Sequence, residues 1–74
     1  MLVKKLTYAQ LLKYTSTRCR LTSDCEFFPN FNVTGIVDSI NIQSNEYVIN
    51  IKTEPTGKII PVGSNMRNLK ITTL

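Results

Sequence analysis

Between Phe31 and Val62 the apolar positions, many of them β-branched, fall into three strand-like runs separated by two short polar breaks. If Gln43 to Glu46 form a four-residue turn, Ile42 faces Tyr47 and Ile40 faces Ile49, all on one side. If Glu54-Pro55-Thr56-Gly57 form the second turn, proline second and glycine fourth as type I turns favour, Ile51 faces Ile60 and Ile49 faces Val62. The inward face of this three-strand meander is then apolar throughout. Outward, Ile59 stands opposite Lys52, Val48 opposite Asn41, and Pro61 beside Asn50.

One conflict arises. This register sets Asp38 against Ile51, and Phe31 and Val33 have the opposite parity to Ile40 and Ile42. A bulge near Asp38-Ser39, or a kink at Gly35, resolves both and lets Val37 point inward. The strand must then bend sharply, and a long bent strand can serve two orthogonal sheets.

Upstream, Thr7 and Gln10 have the spacing of a capping box, with Leu6 and Leu11 as a hydrophobic staple. A helix is predicted over 8–14, with Tyr8, Leu11 and Leu12 as its buried stripe and Lys13 in the last turn. Lys4 and Lys5 precede the cap in an arm or short leading strand. Thr17 to Thr22 alternates, placing Cys19 and Leu21 on one face and Arg18 and Arg20 on the other. An aromatic-rich connection follows from Cys25 to Phe31, where Phe28 and Phe31 are expected to plug the core and Pro29-Asn30 to turn. Pro61 lacks an N–H and belongs on an edge or at a kink. Residues 63–68 read as a tight turn of 3₁₀ type, and the chain closes with Leu69 and Ile71 inward, Lys70 and Thr72 outward. The expected strands are 17–22, 31–42, 47–53, 58–62 and 69–73. The predicted fold is a mainly β, five-stranded, strongly bent small β-barrel with one short N-terminal helix, a single domain over 1–74.

At 74 residues such a domain buries only about 60% of the surface its unfolded chain exposes, so self-association or a larger partner is a natural supplement. No run approaches a membrane span, and the short apolar start, Met1-Leu2-Val3, is no signal peptide, which gives a cytoplasmic expectation. The net charge of +4 is unevenly spread: residues 1–20 hold five bases and no acid, and the remainder four bases against five acids. A basic end of this kind suits nucleic acid or an acidic protein surface.

Chemistry for catalysis is sparse. With no histidine the commonest general base and metal ligand is missing, and Cys19 and Cys25 alone make no four-ligand zinc site; they read as reduced thiols. Gly35, Gly57 and Gly63 are isolated, so there is no phosphate-cradling loop. No cofactor and no enzyme activity are expected.

The helix cap at Thr7 to Gln10, the bent strand about Gly35, the meander turns and the closure from Asn65 to Ile71 together resemble the SH3-like and Sm-like small β-barrels, with the leading helix favouring the Sm-like side. That resemblance implies binding of peptides or nucleic acid, and for Sm-like proteins rings on single-stranded RNA. The Asp-Gly turn between the first two Sm strands is replaced by the longer Phe-rich loop, and the Arg-Gly or Tyr-Lys-His signature before the last strand is missing.

Two functions follow. In the first, a small basic barrel binds RNA or DNA with low specificity through Lys4, Lys5, Lys13, Arg18 and Arg20, with Phe28 stacking a base. In the second, a protein-interaction module, adaptor or inhibitor, of the phage or plasmid accessory type, docks on a larger complex through Phe27, Phe28, Val48 and Ile59.

Overall fold

Phe31–Gln43 forms one thirteen-residue strand, β2, and the other elements are arranged about it. In the computed structural model, which describes residues 1–24 and 30–74, a 3₁₀ turn (Val3–Lys5) precedes α1 (Tyr8–Leu12). Then come β1 (Arg18–Ser23), β2, β3 (Glu46–Thr53), β4 (Ile59–Gly63) and β5 (Lys70–Thr73). All pairings are antiparallel, in the order β4-β3-β2-β1-β5.

The meander register matches the expectation from opposed pairs, but Ile42, expected on the inward face, is 57% exposed, because it lies at the end of β2 beyond the packed core. Ile42 faces Tyr47, Ile40 faces Ile49, Ile49 faces Val62 and Ile51 faces Ile60. The β2–β3 ladder slips between Val37 and Ser39. Asp38 is extruded there, exposed to solvent, while Val37 is fully buried opposite Ile51. The extra residue lets Val37 and Ile40 both point inward, and Phe31 and Val33 pack half-buried against the same core. Gly35 contributes differently: a Cβ there would run into the backbone carbonyl of Lys52 on β3. Only glycine lets the two backbones approach this closely.

Both turns differ in detail from the sequence expectation. Gln43 pairs with Glu46, so the first turn holds two residues, Ser44 and Asn45, with φ of 47° and 65°. Positive φ at both central positions is the type I′ pattern, whose twist matches that of the flanking strands. The second turn is not type I. Glu54-Pro55 is a cis peptide and Gly57 has φ of 74°. The Gly57 N–H donates to the Thr53 carbonyl at 2.7 Å, closing five residues rather than four.

α1 begins as expected. The Thr7 side chain accepts from the Gln10 N–H, and the Gln10 side chain accepts from the Thr7 N–H. The helix ends at Leu12, and Lys13 is its C-cap rather than part of its last turn. With only five residues it buries one narrow stripe: Leu11 is buried and Tyr8 half-buried, but Leu12 is 41% exposed, against expectation. The Tyr8 hydroxyl donates to the Ile40 carbonyl at 3.1 Å and its ring lies 5.9 Å from that of Tyr47, fixing the helix over the bent half of β2.

The segment bearing Lys4 and Lys5 is the 3₁₀ turn, and the residues before it lie along β5. Val3 N–H donates to Leu69, Ile71 N–H to Met1, and Leu2 bridges Lys70. The outer side of β5 is thereby covered. Residues 64–68 form two successive tight turns, Met66 onto Gly63 and Leu69 onto Met66, without a continuous 3₁₀ helix. Among the described residues no ladder joins β4 to β5, so the sheet is open. The core beneath it comprises Val3, Leu6 and Leu11 from the N-terminal segment and Cys19, Leu21, Val37, Ile40, Ile49, Ile51, Val62, Leu69 and Ile71 from the sheet and its closing turn. No helix is long and apolar enough to cross a membrane.

Candidate interaction surface

Register decides which side chains share the outer face of the sheet. Arg18 pairs with Ile36, Ile36 with Lys52, and Lys52 with Ile59. On the other side Leu74 N–H donates to the Arg18 carbonyl, one position beyond the Cys19–Thr73 pair. Leu74, just past the end of β5, and Arg18, Ile36, Lys52 and Ile59 on β1 to β4 therefore form one cross-strand row, alternating apolar and basic. At about 4.8 Å per strand the row spans roughly 19 Å. Its apolar members are well exposed, Leu74 at 47%, Ile36 at 45% and Ile59 at 50%. Three large aliphatic side chains held at one level are more than scattered surface apolars, which need no explanation.

The adjacent row runs Thr72, Arg20, Thr34 and Glu54, because Arg20 pairs with both Thr72 and Thr34 and the Glu54 N–H donates to the Thr34 carbonyl. This places Glu54 diagonally across from Arg18. The Arg18 guanidinium donates from Nε to Oε2 at 2.8 Å and from its Nη2 to Oε1 at 2.9 Å. Those hydrogen bonds, more than the bare charge, hold the Glu54 carboxyl below the usual carboxylate range and raise Arg18. Arg18 is thus partly neutralised. Arg20, Lys52 and Lys70 remain as cations on this face without an ion pair among the described residues.

The bases expected to act as one N-terminal row occupy three places. Arg18 and Arg20 are on the outer sheet face. Lys4 and Lys5 line a cleft of about 300 Å³ with Arg67, a residue the sequence reading had not selected. Lys13 borders a separate hollow of about 280 Å³ with Tyr14 and Thr73. Of the residues chosen for a protein interface, Ile59 is exposed in the cross-strand row, and Val48 is half-buried one strand in from Gly63. Phe27 and Phe28, with Cys25, Glu26 and Pro29, lie outside the described residues.

Ile36 and Leu74 were missed as surface residues. Ile36 did carry a signal, since it alternates out of phase with the inward Gly35 and Val37. Leu74 carried none, because its neighbours are fixed only once β5 pairs with β1.

Cys19 is fully buried, and burial pushes its thiol up, so it is an inert core residue. Among the described residues no three of His, Cys, Asp and Glu come together to hold a metal ion. An open hollow of about 730 Å³ at the β2–β3 turn is lined by Lys4, Ile42, Glu46, Tyr47 and Asn65 among others, a surface of mixed charge and mixed polarity. Comparison with protein-family models, with curated protein sequences and with solved structures finds no match.

Proposed function

We propose that this chain is a small non-enzymatic protein-interaction module, built as a bent SH3-like or Sm-like barrel-type sheet, that docks by the outer face of its sheet onto a larger protein. The carrying observation is the cross-strand row of Leu74, Arg18, Ile36, Lys52 and Ile59. Interface centres favour apolar side chains and arginine over a polar rim, and this row sets both side by side. Arg20, Lys52 and Lys70, without an ion pair among the described residues, make a surface of apolar and acidic side chains the complementary partner. A second copy of the same basic face is disfavoured by like charge.

Low-specificity nucleic-acid binding through the N-terminal bases has weaker support. Its five basic residues are divided among three sites, and Arg18 is engaged by Glu54. The outer face also presents no aromatic ring for base stacking among its described residues.

A photo-crosslinking side chain at position 36 tests the reading, with the same group at exposed Leu12 as control. Irradiation of living cells is expected to give a discrete adduct with one protein from position 36 and not from 12, and Lys52→Glu is expected to abolish it. Equal adducts at both positions, or none at 36, would overturn the proposal. A crosslink to nucleic acid at 36 would establish the other reading instead.

A further inference from the structure

We propose that the cleft between the 3₁₀ turn and the β4–β5 connection is a phosphate-binding site in which Lys4, Lys5 and Arg67 converge. The cleft holds about 300 Å³ and is lined by Leu2, Lys4, Lys5, Arg67, Asn68 and Leu69, three cations and, among the described residues, no carboxylate. That size is at the lower end of small-ligand sites and suits a compact anion.

The two stretches carrying these cations are fixed against each other by backbone bonds. Val3 N–H donates to the Leu69 carbonyl at 2.9 Å, and Leu2 bridges Lys70. The Arg67 carbonyl accepts from the Ser23 hydroxyl at 2.7 Å and from the Asp24 N–H at 3.0 Å. The backbone of the site is thus ordered before any ligand arrives, which lowers the entropic cost of binding.

The acids described nearby are Asp24 and Glu46. The Asp24 carboxylate accepts from the Asn68 side-chain amide at 3.2 Å and does not line the cleft. Glu46 borders the neighbouring larger hollow, which shares Lys4. Among the described residues neither acid forms an ion pair with Lys4, Lys5 or Arg67.

Three cationic side chains, with no carboxylate among the described lining residues, match a ligand that is all acceptor and multiply charged. A phosphate group fits this better than a single carboxylate, and the guanidinium can take two of its oxygens at once. The phosphate could belong to a small polyphosphate or to a nucleic-acid backbone, and the chemistry at the cleft is the same. The site is separate from the outer sheet face, so the two proposals stand or fall independently.

The test is an amide-resolved NMR titration at low salt with two probes, inorganic tripolyphosphate and a twelve-nucleotide oligothymidylate, on the wild-type chain and on Lys5→Gln/Arg67→Gln. Both substituted residues are exposed, so the fold is retained. Shifts are expected at Lys4, Lys5, Arg67 and Asn68, with affinity lowered about tenfold or more in the double variant. For the oligonucleotide, three phosphate contacts give a log–log salt slope of about −2. Binding of tripolyphosphate alone identifies a small phosphate ligand, and binding of the oligonucleotide alone a nucleic-acid backbone. Unmoved cleft amides with both probes, or shifts indifferent to the double variant, overturn the proposal.

Discussion

Arg18 and Glu54, 36 positions apart, meet through three donor–acceptor contacts of 2.8 to 3.2 Å on the exposed face of the sheet. The pair joins the first strand to the turn after the third. It also commits the Glu54 carboxylate to Arg18 rather than to the other cations of that face.

Because Arg18 lowers the folded-state pKa of Glu54, the pair contributes stability that is present above the unfolded carboxylate pKa. That contribution is lost as pH falls through the lower folded value, and below both it is gone. Wild type and Glu54→Gln are therefore expected to differ in urea midpoint near neutral pH and to converge in strong acid. A difference that stays constant across the range would show that the ion pair is not its source.

At Gly35 a methyl group has no room, since its nearest neighbour is the Lys52 carbonyl on the paired strand. Gly35→Ala is expected to destabilise by about 1–3 kcal/mol, the usual range for overpacking, or more if the two backbones must part. Equilibrium denaturation measures this directly. Gly57→Ala is the comparison, because a Cβ there would meet only the Lys52 side chain at an ordinary 3.6 Å and the positive φ is what opposes the change.

Ser64 completes the last rung between β3 and the β4–β5 turn: its N–H donates to the Tyr47 carbonyl at 2.8 Å and its hydroxyl accepts the Tyr47 N–H at 2.9 Å. Ser64→Ala leaves that N–H without its acceptor in a largely buried position. A loss of about 1–3 kcal/mol is expected in urea unfolding. Faster hydrogen exchange at the Tyr47 amide should accompany it.

The two edges of the sheet are protected by different means. Met1 to Val3 cover β5, while β4 carries Pro61 on its free side. The hydrogen bonds Thr53 to Lys58 and Ser64 to Tyr47 fix the alternation, so Ile59, Pro61 and Gly63 turn their backbone groups outward. Pro61 deletes the central outward donor, a recognised way to stop strand addition. Pro61→Val is expected to promote concentration-dependent association, seen as a rise in mass by light scattering. A strictly monomeric variant would refute this role.

Cys19 supplies a probe of global opening. Its thiol is fully buried and shifted up by that burial. In a Cys25→Ser background it is expected to react with a thiol reagent only at the rate of unfolding. Rapid labelling of the native state would contradict the packing described here.

Much of the fold is legible in the sequence. Meander register depends on period-two alternation and turn position, both local, and Asp38 opposite Ile51 called for either a bulge near Asp38-Ser39 or a kink at Gly35, of which the structure has the bulge. The helix cap was equally local. Turn geometry was less accessible: the two-residue Ser44-Asn45 turn gives the same strand pairs as a four-residue reading of Gln43 to Glu46. Leu12 was misplaced because a helix this short has one buried stripe, set by what lies beneath it.

The candidate surface was scarcely legible. Arg18, Ile36, Lys52, Ile59 and Leu74 become neighbours only through four separate strand pairings, and the β1–β5 pairing joins segments about fifty residues apart. The sequence by itself determined the alternation of each strand, the meander register, the need for a break in β2 and the capped helix, because these rest on steric and hydrogen-bonding rules acting over a few residues. Only the tertiary structure decided which outward side chains share a row, that Arg18 is held by Glu54, and that Lys4 and Lys5 face Arg67. An outward side chain pays no packing penalty for its choice of neighbours, so no pattern in the chain records it.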